Sequence, residues 1–148
     1  MNRNAARAGF TLLEVLVVVL IITILATIVG VNVAHRPGEA KVAAAEAQIR
    51  VFKTALNLYR MDNGDYPTQR QGLEALCRPA ETEPVPRRFP QGGYLETPEV
   101  PPDPWGRPYV YLVPGPPGHA YEIVSYGADG EPDGEGEAAD ISSAAPHT

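Results

Sequence analysis

The chain has 148 residues, a formal net charge of −6, a single cysteine, and 16 prolines with 14 glycines. Two of its twelve basic residues, Arg3 and Arg7, precede Phe10, so the remainder sets ten bases against eighteen acids; such an acidic body argues against general nucleic-acid binding. Cys77 alone excludes an internal disulfide and a cysteine-based zinc site, and the length allows only one modest domain beside an apolar run that cannot join a soluble core.

From Phe10 to Val29 every residue is apolar except Thr11, Glu14, Thr23 and Thr27. As a helix this stretch rises about 30 Å, the thickness of a bilayer core. The short flank Met1–Gly9 carries Arg3 and Arg7 and no acid, so it is expected on the cytoplasmic side with the rest facing outward. A secretory signal peptide is the plain alternative, but the run is long for one and Leu25-Ala26-Thr27 is a poor cleavage site. An ordinary signal anchor leaves Glu14 unexplained. An ionised carboxylate in the apolar helix costs on the order of 3 kcal/mol at the membrane centre, less near the interface. No Lys, Arg or His lies between Phe10 and Val33 to partner it. Another chain, or an α-amino group created by cleavage after Gly9, would supply the missing cation.

The basic leader, Gly9, Phe10, Thr11-Leu12-Leu13-Glu14 and the apolar helix together resemble the class III signal of type IV pilins and type II secretion pseudopilins. The resemblance implies cleavage by a prepilin peptidase after Gly9, N-methylation of Phe10, and retention of the helix as the core of a filament. It implies also that Glu14 is the assembly carboxylate that pairs with the terminal amine of a neighbouring subunit.

Beyond the apolar run, Val42, Ala45, Ile49, Phe52, Leu56 and Tyr59 recur at steps of three and four, with Glu46, Arg50, Lys53 and Arg60 between them. The spacing predicts a helix with one buried face, packed on a sheet in preference to a coiled coil, since the stripe is under three heptads. Gly30 and Pro37-Gly38 are expected to kink or locally melt the junction with the apolar segment, and Asn63-Gly64 signals the turn that follows Met61. Thr68 and Gln71 have capping-box spacing ahead of a short helix through Gly72–Cys77. Cys77 sits beside Leu73 and Leu76 and reads as buried; the sequence places none of His35, His119 or His147 near it as a base.

Residues 78–100 read as a long structured loop. Asp103-Pro104-Trp105-Gly106-Arg107-Pro108 then leads into Tyr109–Val113, and after a Pro/Gly connection comes Ala120–Tyr126; β-branched and aromatic residues in both runs predict an antiparallel hairpin. The last stretch, Gly127–Asp140, holds six acids and no base. Composition alone favours a solvated, flexible acidic tail. The competing reading is a loop that binds Ca²⁺ through carboxylates and backbone carbonyls that glycines let converge, though without EF-hand spacing, and the residues leave the two readings even.

The blocks Asp62–Thr68 with Gly72-Leu73, Asp103–Tyr109, Ser125–Gly130 and Ala139-Asp140-Ile141 are similar to the type II secretion major pseudopilin family over nearly the whole chain. That family implies an α+β, type IV pilin-like fold: a long N-terminal helix, transmembrane in its first half, packed on a small antiparallel sheet with a C-terminal calcium loop. On this pattern 1–9 is the leader peptide, 10–34 the transmembrane and assembly half of the helix, 35–61 its amphipathic half and 62–148 the periplasmic domain. Asp129 and Asp140 match the calcium carboxylates, the Tyr126 carbonyl takes an equivalent place, and Glu137 stands in for a lost ligand. The chain departs from the pattern in having Ala139-Asp140 where some members carry two acids, and Ser142-Ser143 where many continue into tryptophan.

The implied protein is no enzyme but a structural subunit, anchored in the bacterial inner membrane by a single span. It polymerises with itself into a pseudopilus, with minor pseudopilins and an inner-membrane assembly platform as partners, to drive folded proteins across the outer membrane. The competing reading is a type IV pilin or minor pilin for adhesion, motility or DNA uptake. Such pilins commonly close a C-terminal disulfide loop, which the lone Cys77 forbids. A membrane-tethered enzyme is the third reading, and no nucleophile motif or His-rich metal pattern supports it.

Overall fold

The structure, a computed structural model, describes residues 11–34 and 36–145. Gly9 and Phe10, expected at the processing site, lie outside the described residues. The chain divides into two compact units, residues 1–37 and 38–148.

The first unit contains helix α1, Leu12–Ala34. Thr11 caps it: its hydroxyl accepts the Glu14 amide at 3.2 Å and its carbonyl the Val15 amide at 3.3 Å. Gly30 lies inside α1 without ending it. Every large apolar side chain from Leu12 to Leu25 is open, between 43% and 85% exposed. Thr23 meets the apolar surroundings by donating its hydroxyl to the Val19 carbonyl at 2.7 Å. Among the described residues no helix is long and apolar enough to cross a membrane. The described side chains of α1 run only from Leu12 to Leu25, so the span expected over 10–34 rests on the sequence.

Helix α2 runs Arg36–Asn63, with Pro37 in its first turn, where a missing N–H leaves no bond unmade. It continues past the expected end at Met61. Asn63 donates its amide to the Tyr59 carbonyl at 3.1 Å, and Gly64, at φ 97°, closes the last turn through its N–H to the Arg60 carbonyl at 2.7 Å. The buried face is the expected stripe: Ala45, Ile49, Phe52, Leu56 and Tyr59 are at most 3% exposed, joined by Ala55, with Val42 packed at the edge.

Against that stripe lie Leu73, Leu76, Leu95, Tyr109, Tyr111, Ile123 and Ile141. The ring of Tyr109 meets Phe52 edge-on at 5.1 Å between centroids. The sheet has strand order β1-β2-β3, with β1 Val110–Leu112, β2 Glu122–Ser125 and β3 Ile141–Ser142, all antiparallel. Tyr111 pairs with Ile123, and Ser125 with Ile141. The expected hairpin is present with shorter strands, and β3 is an addition to it.

The Thr68/Gln71 pair closes as a reciprocal box, Thr68 amide to Gln71 Oε1 at 2.9 Å and Gln71 amide to Thr68 Oγ1 at 3.3 Å. It locks a turn just ahead of the one-turn 3-10 helix Leu73–Leu76. The buried Gln71 then donates its side-chain amide to the Thr82 and Pro84 carbonyls, at 2.7 and 2.9 Å, fastening the start of the 78–100 loop.

Candidate functional site

Two features separate themselves from ordinary packing: the open apolar surface of α1, and the acidic loop 126–140 that joins β2 to β3. Glu14 sits in the first turn of α1, exposed, where the free N–H groups of the helix favour an anion. The Thr11-x-x-Glu14 spacing is thus a helix start as well as part of the signal that the sequence resembles.

The acidic loop is pinned at both ends. Because Ser125 pairs with Ile141, Tyr126 and Asp140 leave the sheet side by side. Inside the loop the Tyr126 carbonyl accepts the Gly130 amide at 3.1 Å and the Glu137 carbonyl accepts the Ala128 amide at 2.9 Å. The carboxylate of Asp129 accepts the Glu131 amide at 3.1 Å, and that of Asp140 accepts the Asp133 amide at 3.2 Å. Gly127, at φ 59°, lies where a Cβ would fall 2.8 Å from the Glu137 carbonyl oxygen and 2.9 Å from that of Ala139. The loop therefore gathers backbone oxygens where only glycine fits.

Outside the loop, the block Asp103–Pro108 acts as its bracket. Asp103, 4% exposed, accepts the Trp105 and Arg107 amides on Oδ1 at 3.0 and 2.8 Å, and the Ser125 hydroxyl on Oδ2 at 2.7 Å. Its own amide donates to the Arg107 carbonyl at 2.7 Å. This turn is fastened to the last residue of β2, one position before the loop. From it the Arg107 guanidinium donates to the carbonyls of Gly127, Ala128 and Asp129 at 2.8, 3.0 and 3.0 Å.

Carboxylates and carbonyls are the hard oxygen donors that Ca²⁺ prefers, and the glycine cradle fits that chemistry. Among the described residues, however, no three acids converge into a metal cage. Asp129, Asp140, the Tyr126 carbonyl and Glu137 belong to the same pinned loop, but the Glu137 carboxylate lies against Gly38 in the first turns of α2, where a Cβ on Gly38 would collide with it. Sequence reasoning found the loop but missed Arg107, whose three acceptors lie twenty and more positions away.

A helix with one apolar face laid on a short antiparallel sheet, preceded by an apolar helix that opens Thr-Leu-Leu-Glu, defines a pilin-like filament subunit. Residues 32–144 match the family described as type II secretion system (T2SS), protein G, and residues 4–30 match the prokaryotic N-terminal methylation motif. The chain is 44% identical over 135 residues to the type II secretion system core protein G of Pseudomonas aeruginosa, covering 91% of this chain and 93% of that protein. It is 44% identical over 141 residues to the protein of the same name from Vibrio cholerae, covering 95% and 94%. Among solved structures it is similar to the major pseudopilin from the type 2 secretion system of enterohaemorrhagic Escherichia coli, with a TM-score of 0.63 and 35% identity over 76% of this chain and 93% of that one. The chain belongs to the type II secretion system protein G family, and it is a structural subunit of that secretion apparatus.

Proposed function

We propose that the chain is cut after Gly9 by a prepilin peptidase, methylated on Phe10, and held in the inner membrane by a single span over 10–34 with its N-terminus cytoplasmic. From there it joins a pseudopilus beside minor pseudopilins on an inner-membrane platform, and filament growth moves folded proteins outward. The observation that carries this reading is α1: twelve large apolar side chains from Leu12 to Leu25, all between 43% and 85% exposed among the described residues. A helix apolar on every side is stable only in lipid or among other helices. Glu14 is the one acid on that surface, and the new amine of a neighbouring Phe10 is the cation it lacks. Glu14→Ala is expected to insert and to be cleaved, yet to yield no filaments on overexpression. Normal filaments from that variant would refute the assembly role.

The acidic loop is read as a calcium site in which Asp129 and Asp140 supply carboxylates and Tyr126 a backbone carbonyl. Support comes from the all-oxygen donor set and the glycine cradle at Gly127. Bound Ca²⁺ would offset the repulsion among six acids and raise stability. Asp129→Ala and Asp140→Ala are each expected to abolish the rise in melting temperature that Ca²⁺ gives the wild type; equal melting of the wild type with and without Ca²⁺ removes the site.

A further inference from the structure

We propose that Arg107 is a positioning residue for cation binding by the acidic loop, holding its first turn in the binding-competent backbone conformation before the metal arrives. This rests on the calcium reading above. The geometry is specific: one guanidinium donates to three successive carbonyls, those of Gly127, Ala128 and Asp129. Three carbonyls turned to one side in succession are not an extended chain. Left alone, a segment so rich in glycine and like charge samples many conformations. Arg107 is itself fixed from behind, since its amide and carbonyl are tied to Asp103 and Asp103 to Ser125 of β2. Gly130 completes the fit, because a Cβ there would fall 2.5 Å from the Arg107 Nε. The sheet thus sets the turn, the turn sets the guanidinium, and the guanidinium sets the carbonyls between Tyr126 and Asp129.

Two opposite effects on metal affinity follow from this placement. A fixed positive charge beside the loop repels Ca²⁺, so its removal would tighten binding on electrostatic grounds alone. A loop that has to be ordered by the metal binds more weakly, in proportion to the fraction of time it is already competent. Arg107 is half-buried and its three bonds, at 2.8–3.0 Å, are of ordinary length; on this proposal the ordering they impose on three successive carbonyls outweighs the partly screened repulsion. The sign of the change separates a positioning role from a purely electrostatic one.

The test uses the full-length, processed chain in detergent, stripped with chelator and titrated with CaCl₂ calorimetrically. Arg107→Gln, which removes the charge, and Arg107→Lys, which keeps the charge but loses the fork, are both expected to bind Ca²⁺ at least tenfold more weakly than wild type. Hydrogen exchange in chelator is expected to quicken at the amides of 127–131 in both variants while the Phe52 and Leu56 region stays protected, which also reports that the variants are folded. Affinity within twofold of wild type, or tighter binding by Arg107→Gln, overturns the proposal, as does unchanged exchange in the loop. If the wild type itself binds no Ca²⁺, the calcium reading fails and this inference falls with it; wild-type binding with unaltered variants sinks the inference alone.

Discussion

Replacing Asp103 tests the connection between the Pro-rich turn and the sheet. Its carboxylate is buried and accepts two backbone amides and the hydroxyl of Ser125, itself 1% exposed. Asp103→Ala strands all three donors. A hydrogen bond to a charged acceptor contributes about 1.5–3 kcal/mol, and an unsatisfied buried donor costs about 1–3 kcal/mol. The three share one residue and do not add fully, so a loss of about 4 kcal/mol is expected, a large part of the roughly 5–15 kcal/mol that holds a domain together. Asp103→Asn keeps the shape and Oδ1, and the Ser125 hydroxyl turns to accept from the new amide, so its cost is nearer 1–2 kcal/mol. Urea unfolding of the full chain in detergent, followed through Trp105, measures both, and a double-mutant cycle with Ser125→Ala is expected to show a coupling of at least about 1 kcal/mol. Equal damage from Ala and Asn, or an Ala cost below about 1 kcal/mol, would refute the account of the turn as a charge-held bracket.

Tyr109 presents the opposite case: its hydroxyl is buried with no hydrogen-bond partner, so Tyr109→Phe is expected to be neutral or to stabilise by about 1 kcal/mol in urea. A clear loss of stability would mean that the hydroxyl is satisfied in solution. Burial pushes the Tyr109 and Tyr121 hydroxyls up from 10.0 to about 12, and raises that of Tyr111 as well. A pKa raised in the folded state gives stability that is whole below the unfolded value near 10 and lost as pH climbs through about 12. Urea midpoints should therefore fall steeply above pH 10, less so in Tyr109→Phe; a flat profile over that range contradicts the burial. Gly127→Ala combines a left-handed backbone with a Cβ 2.8 Å from backbone atoms of Glu137 and Ala138, and should cost about 3 kcal/mol by urea denaturation, with wild-type behaviour as the refuting result.

What the chain reveals before folding depends on how local the cause is. The α2 stripe, the Thr68/Gln71 box and the Asn63-Gly64 stop are set by residues within a few positions, and each is present. The hairpin was legible from Tyr109–Val113 and Ala120–Tyr126, though its ladder is trimmed to Val110–Leu112 and Glu122–Ser125, because strand ends are decided by the partner as much as by propensity. Strand β3 was not legible: Ile141-Ser142 is two residues long and follows an acidic, glycine-rich run, and only pairing with β2 makes it a strand. The same holds for the Arg107 bracket and for Glu137, whose carboxylate settles on Gly38 nearly a hundred positions away. The Gly-Phe-Thr-Leu-Leu-Glu signal is chemically explicit, and on the proposed reading its first two residues serve a peptidase and a neighbouring chain.

The bare surface of α1 bears on how many neighbours a subunit can take. A helix with a single apolar stripe is saturated by one partner. Successive positions from Val15 to Leu25 point in directions about 100° apart and nearly all are apolar, so no single partner exhausts this helix. Its valence is open-ended, which suits a growing fibre and not a closed pair. Lipid tails are as apolar as leucine, so trading lipid for sister helices changes hydrophobic burial little in either direction. On the proposed reading, commitment to the fibre is then decided by one polar contact at Glu14, and growth and retreat are separated by a small difference rather than a large one.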